Sequence, residues 1–310
     1  MSSGPLAYAT YSGDSGADSQ VDASSTQSAG GGEISVSITE QYTTASSGGG
    51  GGETVSSSTS ISVKPSCYYE KQKDQSQVGR DAWDLQDQGT KNKEDEVEKV
   101  YSGYKRSKED RQPGTWWRVT CNEDAFENLA AMQAARNRMT PNGATYLWVP
   151  DSENGGKPPA PYISGRALAT AAWKAVKIPQ PTIETNPKVG PQGATLVGMD
   201  TWVWATGNTP TSVTAKATAG STTATITAGS SGLQLSAPDG KASCTGFGIA
   251  WHSGMPEGSS PCTISFNRSS AHLGGTTPLT IKVAYSASYT ATDGNNGTLP
   301  AITTTSTVNL

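Results

Sequence analysis

Histidine is scarce in this sequence: among 310 residues only two are His, three are Phe and four are Cys. Two histidines are little material for general acid/base catalysis, and the four cysteines include no CxxC spacing of the kind that zinc ribbons and dithiol redox sites use. No run of about 20 apolar residues occurs, so no segment qualifies as a membrane-spanning helix. Both glycine runs, 30–32 and 48–52, lead into a glutamate, Glu33 and Glu53. A phosphate loop ends in Gly-Lys-Ser/Thr on a helix, and a dinucleotide fold needs Gly-x-Gly-x-x-Gly on a βα unit; neither is present. A formal net charge of -4 gives no electrostatic footprint for nucleic acid or for an anionic membrane surface. The sequence therefore assigns no cofactor, no metal and no catalytic residue.

What is abundant is small and polar. Thirty-five glycines and a high share of Ser and Thr make one compact domain unexpected. Charge is dense between Glu70 and Arg111 and sparse after Thr195. The last third, 195–310, reads as all-β. Leu279, Ile281, Val283, Tyr285, Ala287 and Tyr289 alternate with Thr280, Lys282, Ser286, Ser288 and Thr290, the period of a half-buried strand. Shorter alternating runs lie at 211–219, 222–228 and 233–237, separated by Ala219-Gly220-Ser221, 228–232 and Pro238-Asp239-Gly240, where Gly and Pro favour chain reversal. Short strands at this spacing predict a sandwich or a barrel, of which the sandwich is favoured. The fold class expected is mainly β: a C-terminal Ig-like β-sandwich, a small disulfide-bonded α+β domain, and a Gly/Ser-rich N-terminal segment.

The cysteines fall into two sequence-local pairs, Cys67 with Cys121 and Cys244 with Cys262, a structural disulfide pattern that points to an oxidising compartment. The expected location is therefore secreted or cell surface. Met1-Ser2-Ser3-Gly4-Pro5 shows neither a basic stretch nor an apolar run, so the chain is expected to be a mature or trimmed form of an exported protein. The strand-like Thr307-Val308-Asn309-Leu310 suggests that the native chain continues.

In chain order, 1–29 lacks periodicity and is expected to stay without regular structure. Two glycine-led strands follow, Ile34–Ile38 and Thr54–Val63, fit to add to a sheet edge in the same chain or in a neighbour. From Cys67 the composition changes. Val97, Val100, Tyr101 and Tyr104 are spaced as one helical stripe with Glu94, Glu96, Lys99 and Lys105 opposite. Trp116 to Cys121 reads as a strand. Asn122 looks like the cap of a helix with Phe126, Leu129, Ala130 and Ala134 on one side, ending at Pro141-Asn142-Gly143. Strand 145–149, loop 150–161 and a helix at 165–176 capped by Ser164 come next. Pro179, Pro181, Pro187 and Pro191 form an extended connector. The domain ranges expected are 1–63, 64–178, 179–194 for the linker, and 195–310.

Cys67-Tyr68-Tyr69, Trp116-Trp117, Cys121-Asn122, Ile178-Pro179, Asn186-Pro187-Lys188, Leu196-Val197, Thr201-Trp202-Val203-Trp204, the Cys244/Cys262 pair, Arg268-Ser269-Ser270 and 274–278 together resemble uncharacterised secreted proteins of streptomycete-type actinobacteria. The resemblance runs from about Cys67 onward. It implies export and a C-terminal domain similar to immunoglobulin or PKD modules, and brings no activity with it.

Two groups of residues invite a chemical reading. His252, Ser253 and Glu257, with Asp239 upstream, contain the side-chain types of a hydrolase, but neighbours on a strand point to opposite faces and do not converge. A loop histidine is the plainer interpretation. Trp116, Trp117, Trp202 and Trp204, with Trp251, are a candidate aromatic surface for cell-wall glycan or a partner protein, with core packing as the commoner use of such side chains. The function expected is an exported, non-enzymatic cell-surface or extracellular assembly component. Its partners would be other protein subunits, or copies of itself through strand addition. The alternatives are a carbohydrate- or partner-binding module and a cell-wall hydrolase.

Overall fold

The computed structural model describes residues 32–45, 52–87, 93–109, 113–191 and 193–310. The segment 1–29 and glycines 48–51 lie outside them. The chain is mainly β. In order it forms β1 (Ile34–Thr44), β2 (Thr54–Val63), β3 (Cys67–Lys71), α1 (Gln75–Asp87), α2 (Glu94–Glu98), β4 (Tyr101–Ser102), α3 (Tyr104–Glu109), β5 (Gly114–Cys121), α4 (Leu129–Met139) and β6 (Tyr146–Pro150). These are followed by α5 (Gly165–Ala175), β7 (Thr182–Asn186), β8 (Asp200–Thr206), β9 (Pro210–Ala219), β10 (Thr222–Ser236), β11 (Gly240–Cys244), β12 (Cys262–Phe266), β13 (Pro278–Ala291) and β14 (Asn296–Asn309).

A six-stranded antiparallel sheet in the order β14-β13-β10-β9-β1-β2 dominates the molecule. The N-terminal hairpin joins it through β1, where Ile38 sits opposite Ala217 of β9. Alternation explains which face is buried. Val36, Ile38, Val213, Ala215, Ala224, Ile226, Leu279, Ile281 and Tyr285 all lie on one side and are at most 1% exposed. Each large aliphatic side chain buried there stabilises the fold by about 1.5–3 kcal/mol. That face is covered by α5, through Leu168, Ala172 and Trp173, and by Val203, Ala205, Ile264 and Phe266 of a second sheet, β11-β12-β8-β7. Tyr285 donates from its hydroxyl to the Pro210 carbonyl at 2.8 Å, and burial pushes this phenol up to about 12.

A third sheet, β3-β5-β6-β4, carries helices on both sides. Successive residues of β5 point in opposite directions. Trp116 packs with Val78 and Ala82 of α1, Val97 of α2 and Tyr104 of α3, whereas Trp117 packs with Ala135 and Met139 of α4.

Local structure departs from the sequence expectation in three places. The stripe from Val97 to Tyr104 is not one helix: Tyr101 and Ser102 leave it to pair in parallel with Tyr146 and Leu147. Gly103, at φ +86°, makes the break and lies against Trp148, where a Cβ would crowd that side chain. Asn122 caps only a short 3-10 turn, and the helix itself starts later, with the Asn128 side chain accepting from the Ala131 N–H. Leu129 is consequently 73% exposed and the buried face is Ala135 and Met139. Finally, the proline-rich 179–194 contains β7, paired along its length with β8.

Candidate functional site

One surface with a consistent chemistry is the uncovered face of the six-stranded sheet. Strand registers align its outward residues into rows that run across the strands, two of them crossing all six. One row reads Ser56, Gln41, Thr214, Thr227, Ser288, Thr298, each directly opposite the next. The adjacent row reads Ser58, Thr39, Lys216, Thr225, Thr290, Asn296. A third runs through Ser60, Ser37, Thr218 and Thr223, in which the last two hydroxyls are bonded to each other at 3.2 Å. None of these side chains is buried. Neighbouring rows are separated by two residues along each strand, about 6–7 Å, and neighbouring strands by about 4.8 Å. Each hydroxyl can donate one hydrogen bond and accept others, so the rows present a donor–acceptor grid interrupted by Lys216, with Lys282 farther along β13 on the same face.

The four tryptophans expected as a binding surface do not come together. Trp116, Trp117 and Trp202 are 3%, 6% and 6% exposed, so they serve packing. Trp116 belongs to an aromatic group with Trp148, Tyr101 and Tyr146, in which the two tyrosine rings stack at 4.9 Å. Trp117 donates from its indole to the Gly156 carbonyl at 2.9 Å. Trp204 shares the outward face of β8 with Trp202 and is half-buried, with Gly248 of the β11–β12 loop against its backbone and Cβ. Farther along that loop Ile249 and Trp251 are exposed.

The histidines are separated and differently engaged. His272 directs Nε2 at Asp239 Oδ2 at 2.9 Å, and its Nδ1 faces the Ser269 carbonyl at 3.0 Å. Both ring nitrogens thus face oxygen acceptors of the chain. His252 is exposed, with Nδ1 3.2 Å from the carbonyl of its neighbour Ser253. Asp239 serves His272 and not His252, so it does not orient His252 as the acid of a catalytic relay would.

The cysteines form Cys67–Cys121 and Cys244–Cys262. Each bond joins residues directly opposite each other on adjacent antiparallel strands, β3 with β5 and β11 with β12. No helix of the described residues is long and apolar enough to cross a membrane.

Asp293, in the β13–β14 turn, gathers the most hydrogen bonds of any described carboxylate. Its Oδ2 accepts from the Tyr162 hydroxyl at 2.6 Å, the Gly165 N–H at 2.8 Å and Asn295 Nδ2 at 2.7 Å. Arg138 of α4 donates to the Asp293 carbonyl at 3.0 Å. This knot ties the start of α5 and the end of α4 to the six-stranded sheet. Burial opposes ionisation of Asp293, but these donors together outweigh it and hold the carboxyl below its ordinary range.

No family model, curated protein or solved structure matches the chain.

Proposed function

We propose that this protein is an exported, non-enzymatic component of a cell surface or extracellular assembly, which meets its surroundings through the uncovered face of the six-stranded sheet. The observation that carries the proposal is the alignment of Ser, Thr, Asn and Gln in rows across all six strands, an extended and nearly uncharged surface. Such a face suits neutral, hydroxyl-rich neighbours, because donors and acceptors alternate and almost no charge has to be desolvated. The two disulfides fit an oxidising compartment, in line with the resemblance to secreted actinobacterial proteins.

The immunoglobulin-like interpretation of 195–310 belongs to the same proposal. With β8 to β14 lettered A to G, the sheets run G-F-C-B-β1-β2 and D-E-A-β7, in which β1, β2 and β7 are additions to the lettered strands. The immunoglobulin arrangement has G-F-C and D-E-B-A, so among the seven lettered strands B alone differs, lying beside C instead of between E and A. The domain layout that suits the contacts groups 34–63 and 163–178 with 195–310, since β1 and α5 share one core with β9, β10 and β13.

A second reading, a carbohydrate-binding module, is favoured by the exposed Trp251 and Ile249. Incubating the protein with purified cell-wall glycan separates the readings. Retention without turnover, indifferent to Trp251→Ala, is the result expected for the sheet face; retention abolished by Trp251→Ala would favour the module. Turnover lost on His252→Ala would refute both.

A further inference from the structure

We infer that β2 is a homotypic assembly edge, which pairs antiparallel with β2 of a second copy about a two-fold axis normal to the sheet. The inference rests on the assembly reading above and names the partner. The six-stranded sheet ends in β2 on one side and β14 on the other, and among the described residues nothing pairs with the outer edge of β2. Such an edge presents a row of backbone donors and acceptors to any strand that fits it, and proteins usually blunt it with proline or charge. The β14 edge is blunted: Pro300 lies within it, and its pairing with β13 shifts register between Tyr285 and Ala287. By contrast β2 has ten residues, TVSSSTSISV, with neither proline nor charge, and pairs with β1 without a shift.

The flanking charges choose the partner and its direction. Glu53 precedes β2 and Lys64 follows it, both exposed. Antiparallel pairing of two copies brings the Glu53 end of each strand to the Lys64 end of the other, twice by symmetry, whereas parallel pairing sets like against like. With Thr59 at the two-fold axis, Val55 stands opposite the partner's Val63 and Ser57 opposite the partner's Ile61. Val55, Ile61 and Val63 lie on the inward side of the sheet and are only half-buried, so this register extends the apolar face of both copies. It also joins the two hydroxyl faces into one continuous surface, because a two-fold axis normal to the sheet keeps the same side outward.

Sedimentation velocity of the full chain across a wide concentration range tests the inference, beside a Ser58→Lys/Ser60→Lys variant and a Thr59→Cys variant. In the stated register Ser58 faces the partner's Ser60, so the double variant sets lysine against lysine at the edge while adding only exposed charge to the monomer. The wild type is expected to dimerise from its 32.1 kDa monomer, the double variant to lose the dimer with both disulfides and its circular dichroism unchanged, and Thr59→Cys to cross-link through its new thiol. A wild type that stays monomeric throughout, or a dimer that persists in the double variant, would overturn the inference. Thr59 lies on the inward side, opposite Ile38 and outside the hydroxyl rows, so glycan retention by a Thr59→Cys protein that fails to cross-link would leave the proposed function standing, and the two fail separately.

Discussion

The Tyr162 hydroxyl lies 2.6 Å from Asp293 Oδ2, a bond that spans 131 residues of chain and fastens the approach to α5 onto the β13–β14 turn. Asp293 is partly buried there, and its ionised form is the one that accepts from Tyr162, Gly165 and Asn295.

Because the folded carboxyl sits below its ordinary range, it contributes stability above the unfolded pKa that is lost as pH falls through the folded value. Asp293→Asn is therefore expected to lower the melting temperature at neutral pH and to leave a shallower acid-side decline than in the wild type. Tyr162→Phe removes one donor to a charged acceptor and is expected to cost about 1.5–3 kcal/mol. Thermal melts from neutral to acidic pH check both. An acid-side slope unchanged in Asp293→Asn would refute the assignment.

Glycine substitutions at two helices separate tight packing from open space. At Gly165 an added Cβ would overlap Ala291 Cβ and Asp293 Oδ1, and at Gly79 of α1 it would meet nothing within 4 Å. Gly165→Ala is expected to destabilise by about 1–3 kcal/mol, as overpacking does. Gly79→Ala should stabilise by about 0.5–1 kcal/mol through helix propensity. Urea titrations of the two variants provide the comparison.

Glu40 occupies an inward position of β1 and is 6% exposed, with the Lys177 N–H donating to it at 3.4 Å. Burial raises its pKa above the ordinary carboxylate value. The folded state therefore holds a proton that the unfolded state has released, and stability declines as pH rises from the unfolded value through the folded one. Glu40→Gln should remove that decline and raise the melting temperature at neutral pH, by on the order of 1 kcal/mol in stability. Equal melting temperatures for the two proteins at neutral pH would contradict this.

The disulfides close loops of different length, with sequence separations of 54 and 18 residues. Chain entropy gives about 4 kcal/mol for the first and about 3 kcal/mol for the second. Replacing Cys67 and Cys121 together by Ser is expected to cost more than the same change at Cys244 and Cys262. Denaturant midpoints of the two variants test the order.

Much of this architecture is legible where a local period repeats. The long β13 announces itself through six inward residues from Leu279 to Tyr289, and the Ser164 cap marks the start of α5. The break after Val97 is less visible, since it depends on Tyr101 finding Tyr146 across the chain and on the backbone of Gly103. The burial of Met139 instead of Leu129 likewise depends on where β3 and β5 lie. The hydroxyl rows needed information of another kind. Alternating Ser and Thr were visible within single strands, but Ser56 meets Gln41, and Gln41 meets Thr214, only once long-range registers are fixed. Even a complete set of strand assignments leaves those rows undetermined, because a one-residue slip reverses the faces.

Retention on insoluble cell-wall glycan by proteins carrying one new charge decides whether the uncovered sheet face is the contact surface. Ser37→Glu on β1 and Ser288→Glu on β13 lie far apart in sequence but on the same exposed sheet face, whereas Ser243→Glu on β11 adds the same charge to another exposed surface. With all three folded and both disulfides intact, Ser37→Glu and Ser288→Glu are expected to be retained more weakly than the wild type and Ser243→Glu to the same extent. Equal retention of all three with the wild type would contradict that role for the sheet face.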